Sequence, residues 1–293
     1  MSLTRRRFLS ISAAALALPF AAPARAASWS GVALGAEARV TLRGPDPEAA
    51  LAEVRRIVEQ VEQVFSLYRD GSDLVRLNRT GRLAPLPAML AEVCAMTDLV
   101  HDATGGAFDP TVQALWQGAF EGRDRRGDLG WQRVRRAGGA LTLAPGQALT
   151  FNGIAQGFAT DLATRALAAR GYGHALVNIG EHRALGGPFV LELADPEHGP
   201  MGTRRLEGGA IATSSPGALR LPDGRTHVMN PLSEAPSRWS TVSVEAESAA
   251  LADAVSTAAC LMDRDAIRAA IRRLPGIARV TLVTTDGALR SLT

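Results

Sequence analysis

Short segments of alternating apolar and polar residues, separated by glycine and proline, dominate the second half of this chain of 293 residues. Five of these segments are predicted to be strands, at residues 175–179, 189–193, 210–213, 225–229 and 241–244. A period of two is typical of half-buried strands, and short connections favour antiparallel pairing. Residues 280–284 and 288–292 are predicted to close the chain as a hairpin over Thr285-Asp286-Gly287. The pattern therefore predicts an antiparallel sheet.

Helices are expected between these strands and before them. In the first, Leu51, Val54, Val58, Val61 and Phe65 recur at the spacing of one helical face. The predicted helices cover residues 49–65, 87–103, 111–120, 154–170, 248–261 and 265–273. We also expect one strand over 32–42 with a bulge or a close backbone approach at its glycine, a loop over 65–81, a solvated connection with a short helix over 121–139, and a short strand at 148–151.

The first 26 residues have the pattern of an export signal. Arg5, Arg6 and Arg7 precede an apolar stretch at 11–20, and Ala24-Arg25-Ala26 fits a small-x-small cleavage site. We therefore predict a twin-arginine signal peptide over 1–26, a single mature domain over 27–293, and a periplasmic location. An uncleaved anchor is the alternative, but the stretch is shorter than the roughly 20 residues of a bilayer span. No second long apolar run follows, so we expect no stable membrane insertion of the mature chain.

The charged residues and the cysteines exclude several classes of function. Removal of residues 1–26 takes away four arginines and no acids, which changes the formal charge from +3 to −1. The mature chain therefore has no basic domain of the kind that binds nucleic acid. All 32 cationic side chains are arginine, which excludes lysine chemistry such as Schiff bases. Cys94 and Cys260 lie in apolar helical surroundings, where buried free thiols are favoured over a disulfide.

Two distant stretches carry the most informative polar residues. The first, TFNGIAQGFATD at 150–161, is glycine-rich and runs into a helix; the second is AALADAVST at 249–257. Asp253 and Thr257 are spaced i and i+4, so a helix presents their carboxylate and hydroxyl on one face. Hard cations such as Mg²⁺ prefer these oxygens and commonly take only one or two protein carboxylates besides phosphate. We predict that the two stretches form one metal and pyrophosphate site.

Eight short motifs, in order, resemble one known family. They are LGA at 34–36, FSLYRDGSDLVRLN at 65–78, TGGAFDPTV at 104–112, NGIAQGFATD at 152–161, LVNIG at 176–180, AIATS at 210–214, HVMNP at 227–231 and ADAVSTA at 252–258. Together they resemble the ApbE family of FAD:protein FMN transferases across nearly the whole predicted mature chain.

The resemblance implies a fold, a reaction and a set of site residues. It implies an α+β (mixed α/β) fold with a T-fold-like core, which binds FAD with Mg²⁺ and transfers FMN to a Ser or Thr hydroxyl of a partner flavoprotein, releasing AMP. The implied metal ligands are Gly153, through its carbonyl, Asp253 and Thr257. The implied FAD contacts are Leu34, Tyr68, Ala107, Phe108, Asp109, the segment from Thr150 through Gly153 to Gln156, and the region of His227.

The chain departs from the family pattern near the reacting phosphate. Thr150 and Gln156 replace an acid and a lysine, Glu181 and His182 replace a glycine and an acid, and Ser215 replaces a glycine. A bulky Glu181 is expected to obstruct a close backbone approach. These departures keep two alternatives open beside the transferase: a non-catalytic FAD-binding accessory protein for a periplasmic respiratory system, and an FAD pyrophosphatase that uses water as acceptor.

Individual site residues also have alternative interpretations. His227 is either a general base or a cofactor contact, and Asp109 either contacts the cofactor or caps a helix. Tyr68 either packs on flavin or adenine or is an ordinary loop tyrosine. Asp161 matches an aspartate of the family, yet pairing with a neighbouring group would also explain it.

Overall fold

Thirteen strands lie within residues 26–293, the part of the chain that the computed structural model describes. They are β1 Ala26–Ala33, β2 Ala36–Arg43, β3 Arg82–Leu83, β4 Arg135–Ala137, β5 Ala140–Thr142, β6 Ala175–Ile179, β7 His182–Leu185, β8 Phe189–Asp195, β9 Gly199–Leu206, β10 Ala210–Ser214, β11 Thr241–Ala246, β12 Ile277–Val283 and β13 Leu289–Leu292. Eight of them form one antiparallel sheet in the order β1-β2-β6-β7-β10-β11-β12-β13. The predicted antiparallel sheet is confirmed.

Seven α-helices lie in the same described range. They are α1 Pro47–Phe65, α2 Asp73–Thr80, α3 Ala88–Ala103, α4 Gln113–Glu121, α5 Ala155–Ala169, α6 Ala249–Ala259 and α7 Arg264–Arg273. The apolar face predicted for α1 is buried, and its first turn follows Asp46, whose side chain accepts a hydrogen bond from Ala49 N. Helices and antiparallel sheet together give the α+β class that the sequence predicts.

One face of the large sheet is covered by helices and the other by a hairpin. Val40, Val177 and Val244 point from the sheet into a core that α1, α5 and α6 complete. Leu176 and Ile211 point from the opposite face and pack against the separate two-stranded sheet of β8 and β9. A third small sheet, β3-β5-β4, lies beside α2. The helical face holds the candidate site.

The predicted strand over residues 32–42 is wrong, because the structure has a hairpin there. Leu34 and Gly35 form the two-residue tip between β1 and β2, with φ of 50° and 83°. Two consecutive residues with positive φ give the turn twist that matches antiparallel strands. The glycine therefore marks a chain reversal, and it places Leu34 at the end of a hairpin.

Three further local predictions are wrong. The predicted loop over 65–81 contains α2, which Ser72 begins by accepting a hydrogen bond from Val75 N at 3.1 Å. Residues 148–151 are not a strand, because Leu149 bonds the Asn78 side chain and Thr150 N bonds the carbonyl of Pro110. Residues 225–229 make only an isolated bridge between Thr226 and Arg220 instead of a strand. The connection over 121–139 is largely accessible to solvent and contains short helical turns, as predicted; it also contains β4 and the buried Trp131.

The cysteines and the helices were also the subject of predictions from the sequence. Cys94 and Cys260 are both buried and free, as predicted. Among the helices of residues 26–293, none is long and apolar enough to cross a membrane. The predicted signal peptide falls on residues outside the described range, apart from Ala26 at the start of β1.

Candidate functional site

The glycine-rich segment meets α6 through close contacts that only glycine allows. A methyl group on Gly153 would lie 2.8 Å from Thr257 Oγ1. A methyl group on Gly157, one helical turn later, would lie 2.7 Å from Ala250 Cα and would overlap the Ala249 carbonyl. The two stretches that the sequence analysis paired are therefore in direct contact, as predicted.

Asp253 lies inside this contact and is 3% exposed. Its Oδ2 accepts a hydrogen bond from Gly157 N at 3.1 Å, which links the carboxylate to the first turn of α5. Burial raises the pKa of Asp253 to about 8; the Gly157 hydrogen bond opposes this rise and the charge of Asp161 adds to it. A bound cation would favour the ionised form of the Asp253 carboxyl group over its protonated form.

Asp161 has a structural role on the same helix pair. Its carboxylate accepts hydrogen bonds from Ala249 N and Ala250 N at 2.9 and 3.1 Å, and from the Ser248 hydroxyl at 2.7 Å. It also pairs with Arg183. An acid at the amino end of a helix satisfies free backbone donors and interacts favourably with the helix dipole. Pairing with neighbours, one of the two interpretations of Asp161, thus explains the residue fully.

Three hydroxyl groups surround the other end of the predicted metal face. Ser214, at the end of β10, has its Oγ 2.7 Å from Ser256 Oγ and 3.4 Å from Thr257 Oγ1. Ser256 also donates to the carbonyl of Asp253 at 2.9 Å. The Thr257 hydroxyl therefore lies in a polar environment of oxygen atoms, next to Gly153 and one turn from Asp253.

Glu181, the residue that replaces a glycine of the family, points into this region. It is 7% exposed, and its Oε2 accepts a hydrogen bond from Thr213 N at 3.0 Å. Burial raises its pKa well above the usual value, the Asp253 charge raises it further, and the Thr213 hydrogen bond lowers it. An obstruction by Glu181 stays a prediction. A close approach within the protein occurs at the neighbouring Gly180, φ 86°, where a Cβ would lie 3.0 Å from Gln156 Cβ.

His182 follows directly and begins β7, where it pairs with Asn178 of β6 and Ile211 of β10. Burial lowers the pKa of His182 to about 4. The imidazole is therefore neutral at pH 7 and brings neither the negative charge of the acid that it replaces nor a positive one.

The Thr150 segment lies beside the loop that follows α3. Thr150 N donates to the carbonyl of Pro110 at 2.9 Å, and its Oγ1 accepts from Asn152 N at 3.2 Å. Ala107 and Phe108, which precede Pro110, are each 5% exposed. Their contact with a cofactor stays a prediction.

Asp109 has a structural partner for each carboxylate oxygen. One oxygen accepts from Thr111 N and Thr111 Oγ1 at 2.8 and 2.6 Å, and the other accepts from Trp131 N at 3.1 Å. These contacts make Asp109 the cap of the turn at 110–112. They satisfy the cap interpretation; a cofactor contact for Asp109 stays a prediction.

Leu34 and Tyr68 approach the same segment from other elements. Gln156 Nε2 donates to the carbonyl of Leu34 at 3.4 Å, and Leu34 N donates to the buried carboxylate of Glu62. Arg69 pairs with the second oxygen of Glu62 at 2.8 Å. Tyr68 is 62% exposed, and its hydroxyl interacts with the Asn152 side chain. Leu34 and Tyr68 therefore lie beside residues 150–156, whereas His227 makes its hydrogen bonds with Pro216, Leu219 and Trp116. The role of these residues in FAD binding stays a prediction.

His227 is oriented by backbone groups. Its Nδ1 lies 3.0 Å from the carbonyl of Pro216, and the backbone carbonyl of His227 accepts a hydrogen bond from Trp116 Nε1 at 3.0 Å. A carbonyl only accepts, so Nδ1 carries the proton and Nε2 is free to accept one. Burial lowers the pKa of His227, against the opposing effect of the Pro216 carbonyl. Pro216 follows Ser214 by two residues, which connects the imidazole to the hydroxyls around Thr257.

Some residues of the site were not singled out in the sequence. Glu62 lies on the buried face of α1 beside Val58 and Phe65. An acidic residue on an otherwise apolar helix face can be recognised from the helical periodicity of the sequence. Ser214 and Ser256 carry no such signal, since their meeting depends on the packing of β10 against α6. Within residues 26–293, no three histidine, cysteine or acidic side chains converge as a metal-binding group. The cation site predicted here rests on mixed oxygen donors instead.

Comparison with known proteins agrees with this arrangement. The model of the ApbE family matches residues 34–281. An FAD:protein FMN transferase of Chlamydia trachomatis is 30% identical over 243 residues, covering 72% of this chain and 75% of the relative. The flavinyl transferase ApbE of Pseudomonas stutzeri, solved in its apo form, has a TM-score of 0.76 and 26% identity, covering 92% and 94% of the two chains.

A further solved structure, the flavin transferase ApbE of Vibrio cholerae, shares the fold with a TM-score of 0.78 at 23% identity, over 92% of this chain and 97% of that one. The family model spans most of the chain, including every element that builds the site. The sequence motifs, the sheet with its helical face and these matches lead to one conclusion: the chain belongs to the ApbE family.

Proposed function

We propose that this protein is an FAD:protein FMN transferase, which moves FMN from FAD onto a Ser or Thr hydroxyl of a partner flavoprotein and releases AMP with the help of Mg²⁺. The observation that carries the proposal is the contact of Gly153 with Thr257, one helical turn from the buried Asp253. It brings the two predicted halves of a metal and pyrophosphate site together. Relatives that bear this transferase name support the reaction class.

The donor set fits a hard cation. Asp253 uses one carboxylate oxygen for Gly157 N, and no described residue donates a hydrogen bond to the other. Thr257 adds a hydroxyl, and Mg²⁺ commonly combines one or two carboxylates with phosphate and water. Asp253 has no ion-pair partner within residues 26–293, and burial raises its pKa to about 8, so a bound cation would favour the ionised form of this carboxyl group. Gly153, Asp253 and Thr257 are the residues that would hold Mg²⁺.

The bound cation would neutralise charge that develops on the departing phosphate. The polypeptide supplies the orientation of FAD. The hairpin tip at Leu34, the exposed Tyr68 and the backbone at Ala107 and Phe108 surround the segment that begins at Thr150. These groups would bind the flavin and adenine parts and leave the pyrophosphate beside α6.

His227 is the group that would activate the acceptor. Its Nε2 is free because Nδ1–H donates to Pro216, and burial lowers its pKa so that it is neutral at pH 7. The imidazole would take the proton of the acceptor hydroxyl as its oxygen bonds to the FMN phosphorus. The pyrophosphate bond breaks in the same displacement and AMP leaves. A positioned base of this kind contributes about a hundredfold or more to rate.

A periplasmic acceptor is part of the proposal. The twin-arginine pattern at Arg5, Arg6 and Arg7 supports export, and the exported chain would meet a flavoprotein with an accessible Ser or Thr in the periplasm. Cell fractionation with and without a functional twin-arginine translocase tests the location and the export route. Absence of the protein from the periplasm of the strain with the translocase would contradict the location, and equal periplasmic amounts in both strains would contradict the route.

The direct test of the reaction is a balance of products. The protein without residues 1–26 is mixed with FAD, Mg²⁺ and an acceptor domain bearing a family-type target threonine, and the acceptor is weighed by mass spectrometry while AMP is quantified. The expected result is an FMN adduct with one AMP for each adduct. Bound FAD with neither product, for acceptors drawn from the periplasmic flavoproteins of the same organism, would overturn the proposal.

One observation favours a second candidate, an FAD-binding accessory protein without transfer activity. Gln156, which replaces the lysine of the family, donates its amide to the Leu34 carbonyl and packs against Gly180, so it is engaged within the protein. It brings no positive charge to phosphate. Tight FAD binding without AMP release supports this candidate, whereas release of FMN and AMP with no acceptor present indicates hydrolysis by water.

A further inference from the structure

Glu181 is fixed in place by its own backbone. It ends the three-residue connection between Asn178 of β6 and His182 of β7. Its carbonyl accepts hydrogen bonds from Thr160 Oγ1 at 3.1 Å and from Ile179 N at 3.2 Å. Since Thr160 belongs to α5, the side chain of Glu181 starts from a position that the sheet and a helix of the site define together.

The carboxylate of Glu181 then reaches toward α6. Oε2 accepts from Thr213 N, the residue before Ser214, whose hydroxyl contacts Thr257. The residue is 7% exposed, and no described residue donates a hydrogen bond to Oε1. One carboxylate oxygen is thus held in place by Thr213 N, and the other has no donor within the described chain.

Glu181 and Asp253 are two buried acidic groups without an arginine partner in the described chain; the charge of Asp253 acts on Glu181, and Arg183 pairs with Asp161. Burial favours the protonated form of both groups when no cation is bound. An opposite charge between or beside them would make their ionised forms favourable. A divalent cation supplies that positive charge, and it can also be coordinated by Glu181 Oε1, which has no hydrogen-bond donor in the described chain.

We propose that Glu181 is an additional oxygen ligand of the Mg²⁺ centre, beside Asp253 and Thr257. Its carboxylate supplies the negative charge that Thr150 and His182, which stand where the family has acids, do not bring. The inference rests on the proposed function only in placing the cation at Asp253. It explains how a chain with these departures retains a complete binding site.

The test measures cation binding directly, without FAD and without acceptor. Mg²⁺, and Mn²⁺ as a spectroscopic probe, are titrated by calorimetry and electron paramagnetic resonance into the wild type, Glu181→Gln and the matched control Glu192→Gln. Glu192 is exposed on β8, away from the site. We expect Glu181→Gln to bind both ions about tenfold to a hundredfold more weakly, which is the range for metal-site partners, and the control to bind as wild type.

Thermal unfolding separates a ligand from a purely structural residue. The amide oxygen of Glu181→Gln can still accept from Thr213 N, so without cation the variant should unfold at a temperature no lower than the wild type. The rise in unfolding temperature on adding Mg²⁺ should shrink. A lower unfolding temperature with an undiminished response to Mg²⁺ would show that Glu181 only supports the fold.

The Mg²⁺ affinities of the Glu181 and Asp253 variants, taken together, decide whether Glu181 is a ligand. Wild-type Mg²⁺ affinity in Glu181→Gln, together with loss of binding in Asp253→Asn, would overturn the inference. If Glu181→Gln does not fold, Glu181→Gly, which carries the family's residue, takes its place in the titration with the same expectation. Failure to form an FMN adduct would refute the proposed function and leave these titrations interpretable, so the two failures are distinguishable.

Discussion

The backbone amide of Gly157 donates to the carboxylate of Asp253 across the boundary between α5 and α6, at 3.1 Å. The amide belongs to the first turn of one helix, where backbone donors have no partner within the helix itself. The acid therefore satisfies a free donor with one oxygen, and no described residue donates a hydrogen bond to the other. The packing of α5 against α6 therefore also determines the position of the Asp253 carboxylate.

Replacement of Gly157 by alanine tests that arrangement. The new methyl group would lie 2.7 Å from Ala250 Cα and overlap the Ala249 carbonyl, so the two helices must separate. We expect the free energy of unfolding in urea to fall by about 1–3 kcal/mol, as for other overpacked interiors. Gly71→Ala, at a position with nothing within 4 Å, is the control and should leave stability nearly unchanged. Equal stability of both variants would show that the interface can adapt.

Asp253→Asn should remove the response to Mg²⁺. The buried carboxylate is the only acidic group among the three residues proposed to bind Mg²⁺, and an amide oxygen in its place carries no negative charge. We expect the Mg²⁺-dependent rise in unfolding temperature to disappear and FMN transfer to fall by at least a hundredfold. Asp265→Asn, an acid with 92% side-chain exposure, should respond to Mg²⁺ as the wild type does. An Asp253→Asn protein that Mg²⁺ still stabilises would place the cation elsewhere.

His227→Gln should slow the transfer step while FAD binding is retained. Loss of a positioned base lowers the rate by about a hundredfold or more, and the exposed His198→Gln should have no effect. In the wild type, the base is active when neutral. Burial lowers its pKa below 6.5, so the rate should rise with pH through that lower value and level off by pH 7. A large loss of FAD affinity in His227→Gln, with an unchanged rate at saturating FAD, would identify a cofactor contact instead.

Acid should weaken the attachment of the β8–β9 hairpin through Asp195. Burial alone would raise the pKa of this carboxyl, but hydrogen bonds from Thr241 Oγ1 at 2.6 Å and from Glu197 N and His198 N lower it below 3.8. A depressed pKa in the folded state contributes stability that is present above the unfolded value and lost as pH falls through the folded value. Asp195→Asn should therefore be less stable at pH 7 and lose less stability than the wild type below about pH 4. Parallel pH profiles of the two proteins would contradict this.

Both thiols should be unreactive in the folded protein. Burial raises the pKa of Cys94 to about 12, and it raises that of Cys260 as well. Thiolate is the reactive form, so a thiol reagent at pH 8 should label neither cysteine under native conditions and both in denaturant. Labelling of one cysteine before unfolding would indicate local opening around it, and absence of labelling in denaturant would indicate a disulfide.

Periodicity predicted the elements that bury one regular face and failed where backbone groups bond outside regular structure. The helix that carries Asp253 and Thr257 was predictable because spacing alone places the two on one face. The strand expected at residues 148–151 was not formed, because the apolar run bonds Asn78 and Pro110 instead of a neighbouring strand. The hairpin at Leu34 was hidden because alternation continues through a two-residue turn.

The site was predictable to the extent that its contacts are local or follow family motifs. Gln156 and Leu34 are 122 residues apart, and Glu181 and Thr213 are 32 apart, so no spacing rule relates them. Glu181 was noted only as a departure from a glycine. Its meaning depends on the direction of its side chain, which the turn between β6 and β7 sets, and this direction is a property of the tertiary structure.

The glycine contacts between α5 and α6 have a thermodynamic consequence. Because Gly153 and Gly157 already bring the two helices together, the helices cannot close further when a cation arrives. The conformational entropy lost in aligning the oxygen donors is then part of folding, and little additional apolar surface leaves water on binding. The heat capacity change of binding follows the apolar surface that is buried. Calorimetry of Mg²⁺ binding at several temperatures should therefore show a binding enthalpy that changes little with temperature.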